Sequence, residues 1–369
     1  MSADRRLGVA HYFDGQRLVP GDVEVSGRTV GSVGLPPARG GIAAPGWLDL
    51  QVNGFAGVDV LSAGQAGLRR LALELPRTGV TAFLPTVITA PEEETRCTVA
   101  AAEAVRCRPD VGAAVVLGTH LEGPFLSPAF AGAHRPDLLS TDEQLLAELA
   151  GLPGVRMVTL APEVLPSSTL VSRLAGDGVV VSLGHSGATG AQAHAAFDDG
   201  ARALTHAFNA HRPIASREPG PLAAALARAD TVLTVIADGV HVARDNLVLL
   251  DRAAAGRLVL VTDSIVAAGL ADGSYRFGPL EVTVAAGRAC LSDGTLAGSI
   301  ATMDACVRVA AGVWGLERAL VAASGTPARL LGADRGAAVA VGQPADLVVL
   351  DDRLDVIETL IDGRTAYRR

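Results

Sequence analysis

The chain has 369 residues, about two and a half times the ~150 typical of one domain, and its 49% hydrophobic content suffices for a large core. Thirty-one cations against 39 acidic residues give a formal charge of −8, and no stretch gathers the basic cluster that nucleic acid or an acidic membrane face requires. All 31 cations are arginine, so Schiff-base lysines, Walker-type phosphate lysines and carbamylated-lysine metal bridges are excluded.

At the start of the chain, Arg5 and Arg6 are followed by a segment interrupted by His11 and Asp14, so no apolar signal core follows the charges. Asp22 to Ser26 and Arg28 to Val33 alternate with glycine punctuation and read as small antiparallel strands. From Ile42 onward, short apolar strands alternate with helical stretches. Eight strands are predicted: Gly46 to Val52, Thr81 to Thr86, Ala114 to Leu121, Arg156 to Ala161, Val179 to His185, Ala203 to Ala207, Val232 to Ala237 and Leu258 to Asp263. Tyr275 to Asp293 reads as a hairpin-rich excursion, Thr302 to Ala323 as helix, and Ala345 to Leu350 and Val356 to Asp362 as strands again. The expected fold is α/β: a (β/α)8 TIM-like barrel over 43–335, beside a small β domain built from both chain ends, 1–42 and 336–369. Cys97, Cys107, Cys290 and Cys306 show no Cys-x-x-Cys spacing, which argues against a zinc ribbon or disulfide framework. No run approaches the ~18 apolar residues of a membrane helix. The expectation is a cytoplasmic protein with neither nucleic acid nor membrane as partner.

In a barrel of this kind the chemistry sits where strands run out into loops. Gln51, Asn53, Glu122, His185, His206, Asp238 with His241, and Asp263 all close or just follow an apolar strand. A carboxylate and two imidazoles, Glu122, His185 and His206, can converge there on one divalent cation, leaving a position for water. Each alone reads more readily as a hydrogen-bonded core or surface group than as a ligand; the weight lies in the three together. Asp263 alone reads as a cap or turn residue, but at the end of the eighth strand it faces the same mouth and suits a general base that later protonates a leaving amine. Arg217 and Asn209, on the loop after the sixth strand, offer a fork and an amide to a phosphate, although most arginines are ordinary surface groups. His134 and His241 are loop histidines open to either reading, and His11, His194 and His211 are assigned structural or surface roles. Gln51 and Asn53 stand where a His-x-His pair would bind a second metal, and neutral amides bind transition metals poorly, so one ion is expected.

These stretches resemble the N-acetylglucosamine-6-phosphate deacetylases of the amidohydrolase superfamily. The resemblance runs through Pro45-Gly46-Trp47-Leu48-Asp49, His120-Leu121-Glu122-Gly123-Pro124-Phe125, Gly184-His185-Ser186-Gly187-Ala188-Thr189, Thr205-His206-Ala207-Phe208-Asn209-Ala210, Arg217-Glu218-Pro219-Gly220, Ile236-Ala237-Asp238-Gly239-Val240-His241, Val261-Thr262-Asp263 and Gly294 to Ser299, in family order over nearly the whole chain. It implies release of acetate from a phosphorylated N-acetyl amino sugar. Glu122, His185 and His206 would then hold the metal, with Asp263 as acid and base and His134 at the acetyl carbonyl. Ala133, His134, Asn209, Ala210, Arg217, His241, Leu296, Ala297 and Gly298 would contact substrate, with Arg217 and His241 near the phosphate. It also implies paired subunits, a homodimer in which a phosphate ligand comes from the neighbour. His211 departs from the methionine common after the Asn-Ala pair, and Gln51 with Asn53 match a one-metal branch. Zinc is the expected ion, with iron and manganese open. A galactosamine epimer, another N-acyl substrate, and a catalytically idle scaffold remain as alternatives.

Overall fold

The computed structural model describes residues 4–167 and 169–369. Eight parallel strands pair in chain order: β1 (Trp47–Val52), β2 (Val80–Ile88), β3 (Thr119–Glu122), β4 (Val155–Leu160), β5 (Val180–Leu183), β6 (Ala203–Leu204), β7 (Val232–Val235) and β8 (Leu258–Leu260). The ring closes just past β8, where Ser264 bridges Val52 in parallel and the Asp263 N–H donates to the Gln51 carbonyl at 2.9 Å. Parallel strands covered on both faces need near-continuous apolar sequence, and all nine residues of β2, Val-Thr-Ala-Phe-Leu-Pro-Thr-Val-Ile, are buried. Helices fill the connections, and their starts are legible in local chemistry. Asp142 accepts the Gln144 and Leu145 N–H groups ahead of Glu143–Ala150, and Thr189 with Gln192 forms a capping box ahead of Gly190–Asp198.

All eight expected strands are present, but several stop early. The readings to His185, Ala207 and Asp263 end instead at Leu183, Leu204 and Leu260. The reason is backbone geometry: His185, His206 and Asp263 have φ of +49°, +32° and +50°, in a region where a strand ladder cannot continue. The predicted third strand is split, because the Leu117 N–H bonds the Phe83 carbonyl of β2 whereas the Thr119 N–H bonds the Gly154 carbonyl next to β4.

The excursion is a three-stranded antiparallel sheet, Gly273–Phe277, Leu280–Ala285 and Arg288–Cys290. Its Phe277, Val282, Val284 and Ala289 pack on Ile265, Val266 and Ala297 beside the barrel mouth. The two chain ends interleave in a six-stranded sheet ordered Arg364–Arg368, Val356–Ile361, Leu347–Leu350, Ile42–Pro45, His11–Phe13 and Leu18–Pro20. Its core includes Val9, Val23, Ala43, Leu347, Val349 and Leu360. The last strand was not anticipated; Arg-Thr-Ala-Tyr-Arg is largely exposed and lacks apolar alternation. No described helix is long and apolar enough to cross a membrane, and the four cysteines are unpaired.

Inside the ring, Leu50, Leu84, Met157, Ala203, Val259 and Val261, drawn from strands around the circle, form one buried cluster. A polar staple lies at the closure. The buried Asp49 of β1 accepts the Thr262 hydroxyl at 2.5 Å and the Thr262 and Gln51 N–H groups at 3.2 Å each. Removing that acceptor leaves buried donors unpaired, at a cost of roughly 1–3 kcal/mol each. Asp49→Ala should therefore lower unfolding stability by about 2–4 kcal/mol, read as a reduced denaturant midpoint with unchanged slope, and Asp49→Asn, which keeps one acceptor, by less.

Candidate active site

Glu122 is the last residue of β3, and His185 and His206 follow β5 and β6, so three strands deliver their side chains to one end of the ring. The His185 Nδ1–H donates to the Phe130 carbonyl at 2.8 Å, and the His206 Nδ1–H to the Asn209 carbonyl at 3.1 Å. A carbonyl only accepts, so in the neutral rings both Nε2 atoms carry lone pairs. Those two atoms stand 3.1 Å apart, and Glu122 Oε1 lies 3.4 Å from one and 3.1 Å from the other. Three lone pairs facing one another repel unless a cation lies between them. Donors held tetrahedrally at ~2.0–2.1 Å stand roughly 3.3–3.4 Å apart, so the set fits a transition metal. Among the described residues no other cluster of this kind is found.

Around these candidate ligands the two carboxylates, Glu122 and Asp263, are held differently. Burial pushes the Glu122 carboxyl up, but the His185 and His206 rings against it, whenever they are protonated, bring it well below the ordinary value, so it stays ionised. Burial, followed by the charge of Glu122, pushes Asp263 up to about 6. Asn53 Nδ2 donates to Asp263 Oδ1 at 2.7 Å and Gln51 Nε2 to Glu122 Oε1 at 2.8 Å, leaving Asn53 Oδ1 and Gln51 Oε1 buried without a partner. The amides at the His-x-His positions thus serve as donors to carboxylates.

His134 has its ring 4.5 Å from that of His185, edge to face, and burial pushes its pKa down to about 3, so it is a neutral group. His241 donates Nδ1–H to Asp238 Oδ2 at 2.7 Å, and Asp238 Oδ1 accepts the Val240 and His241 N–H groups. Glu122, His185, His206, Asp263, Asn53, His134 and His241 line one cavity of about 400 Å³, together with Ala133, Asn209, Ala210, Leu296 and Gly298, whereas Gln51 and Asp238 stand behind its wall.

The sequence compared with known proteins gives the same picture. Residues 42–366 match the amidohydrolase family. The chain belongs to that family. Human N-acetylglucosamine-6-phosphate deacetylase is 40% identical over 348 residues, 89% of this chain and 84% of the human protein. An N-acetylgalactosamine-6-phosphate deacetylase of Escherichia coli O157:H7 is 38% identical over 333 residues, 88% of each chain. Among solved structures, a mutant Mycobacterium smegmatis N-acetyl-D-glucosamine-6-phosphate deacetylase in complex with N-acetyl-D-glucosamine-6-phosphate superposes with a TM-score of 0.92 at 35% identity, covering 99% of this chain and 100% of that one. The Thermotoga maritima N-acetylglucosamine-6-phosphate deacetylase gives 0.91 at 33% identity, over 99% and 100%.

Within this amidohydrolase, most residues singled out from sequence meet at the mouth, and two of those expected to contact substrate do not line it. Ala297 is fully buried behind Leu296 and Gly298, and Arg217 stands exposed on the loop after β6, outside its own chain's cavity. His211 lies behind the wall, donating Nε2–H to the Thr205 carbonyl at 2.8 Å with Nδ1 buried and unpartnered. Sequence reasoning missed a buried chain beneath the ligands. His120 Nε2 meets Thr159 Oγ1 at 2.7 Å, Thr159 meets Thr205 Oγ1 at 2.8 Å, and Thr205 meets Ser182 Oγ at 2.6 Å, linking β3, β4 and β5 to the residue after β6. His120, two residues before Glu122 and so on the same strand face, carried the available signal. His206→Ala should leave the fold intact but drop the ion retained after metal loading and desalting at least ~10-fold, as read by elemental analysis; a variant that keeps a full equivalent would remove His206 from the ligand set.

Proposed function

We propose that this chain hydrolyses the N-acetyl group of N-acetyl-D-glucosamine 6-phosphate to D-glucosamine 6-phosphate and acetate, as a step of amino-sugar catabolism. The observation that carries the reading is the convergence of Glu122, His185 and His206 within reach of Asp263 in a cavity of about 400 Å³, in a chain 36% to 40% identical to curated deacetylases of that substrate. Glu122, His185 and His206 would hold a single divalent ion, zinc by preference of a mixed N and O donor set, with Fe and Mn as competitors. Such an ion, when bound, supplies Lewis acidity that acidifies water and polarises a carbonyl.

The remaining work falls to the chain's own side chains. Asp263, its carboxylate steadied by Asn53, takes the proton of the water that attacks the acetyl carbon and returns it to the sugar nitrogen as the C–N bond breaks. His134 presents a neutral ring to the developing oxyanion, an interaction worth about 3 kcal/mol per donor in comparable sites. His241, locked by Asp238, and the backbone of 296–298 face the sugar phosphate. Arg217, exposed and away from its own cavity, suits a role across a homodimer, as a phosphate fork for the neighbouring subunit. The protein is assigned to the cytoplasm, where such sugar phosphates are formed and consumed. The matched Escherichia coli O157:H7 relative acts on the galactosamine epimer by name, so epimer preference is the second reading.

Acetate release should be fast with N-acetylglucosamine 6-phosphate, slower with the galactosamine epimer, and at least ~10²-fold slower with unphosphorylated N-acetylglucosamine; equal rates with and without phosphate would sink the substrate assignment. Asp263→Asn should keep its metal and lose ~10²–10⁴-fold in kcat. Because the base form of a group raised to about 6 exists only above that pH, kcat/KM should rise with pH along a limb at or below about 6 and then level. A bound cation favours the ionised form and moves this limb to lower pH, never higher.

A further inference from the structure

Building on the deacetylase reading, we propose that Thr89 is a positioning residue that holds His134 with its proton on Nε2, so that the ring offers the acetyl oxygen an N–H and not a lone pair. Thr89 directly follows β2, whose last residue, Ile88, pairs with Glu122 of β3, so the barrel itself sets the distance between Thr89 and the ligands. Its backbone N–H donates to His134 Nδ1 at 3.3 Å, and its hydroxyl lies 2.8 Å from the same atom. A backbone N–H has no capacity to accept, so Nδ1 is bare, the hydroxyl donates to it too, and the ring proton resides on Nε2. That nitrogen is 3.7 Å from Glu122 Oε2, beyond hydrogen-bond range, on a ring that lines the cavity with Asp263.

The contrast with its neighbours makes the assignment specific. His185 and His206 give Nδ1–H to carbonyls and so present lone pairs to a cation; His134 receives two donors at Nδ1 and so presents a proton. Three imidazoles in one pocket are thereby sorted into two ligands and one donor by whether the partner behind each ring accepts or donates. Gly123 makes room for this. Its φ is +87°, and a Cβ there would lie 2.3 Å from Thr89 Oγ1, so a side chain at 123 would displace the hydroxyl.

The test uses the zinc-loaded full chain. In wild-type protein labelled with 15N-histidine, the His134 ring nitrogens should show a protonated Nε2 and an unprotonated Nδ1; the reverse pattern overturns the proposal without any variant. Thr89→Val should lower kcat about 10-fold with KM for N-acetylglucosamine 6-phosphate within about twofold and metal content unchanged, and should broaden or shift the His134 signals. Thr89→Ser, which restores the hydroxyl, should recover most of the rate. A Val variant as active as wild type overturns the role of Thr89 while leaving the deacetylase reading intact. Failure of that reading looks different: the wild type itself would release no acetate.

Discussion

Three electron-rich atoms held against one another dominate this molecule. His185 Nε2, His206 Nε2 and Glu122 Oε1 sit 3.1 to 3.4 Å apart, an arrangement that costs free energy until positive charge enters. The fold supplies that free energy in advance through ordinary means. Two backbone carbonyls orient the rings, a buried hydroxyl chain runs beneath them, and a parallel ladder fixes the spacing of the strands that carry them. An ion bound there would therefore meet a prearranged site and lose little to reorganisation.

The same arrangement explains why the backbone is unusual where the chemistry lies. His185, His206 and Asp263 each leave their strand with positive φ, a conformation that costs non-glycine residues of order 1–3 kcal/mol. For Asp263 the cost is offset by its own peptide groups, since its N–H donates to the Gln51 carbonyl and its carbonyl accepts the Ser299 N–H, both at 2.9 Å. The turn aims each side chain across the barrel mouth, which a residue continuing in the strand would not reach.

How much of this was legible beforehand depends on what each residue does to the sequence pattern. The barrel was readable because β2, β4 and β7 are short, mostly apolar runs rich in β-branched residues. The charged members of the site were readable because Glu122, His185, His206 and Asp263 interrupt such runs at their ends. Thr89 was not, since a threonine directly after an apolar strand is a normal strand former, and its meaning appears only when His134 is brought against it from 45 residues away. Gln51 and Asn53 were legible as an absence of imidazoles, yet their positive role, giving N–H groups to two carboxylates, required the distances. Arg217 has the fork that suits a phosphate, yet it does not line the cavity of its own chain.

The interleaved terminal sheet carries a consequence for biosynthesis. Ile42–Pro45 lies between His11–Phe13 and Leu347–Leu350, so one of its edges waits for a segment that is synthesised about 300 residues later. Until then a nascent chain displays an open apolar strand edge, the kind of surface that chaperones recognise and that invites mispairing between chains on a polysome. A chain cut short before Leu347 would keep that edge uncovered, so the sheet ties the two ends of the barrel segment into one folding unit.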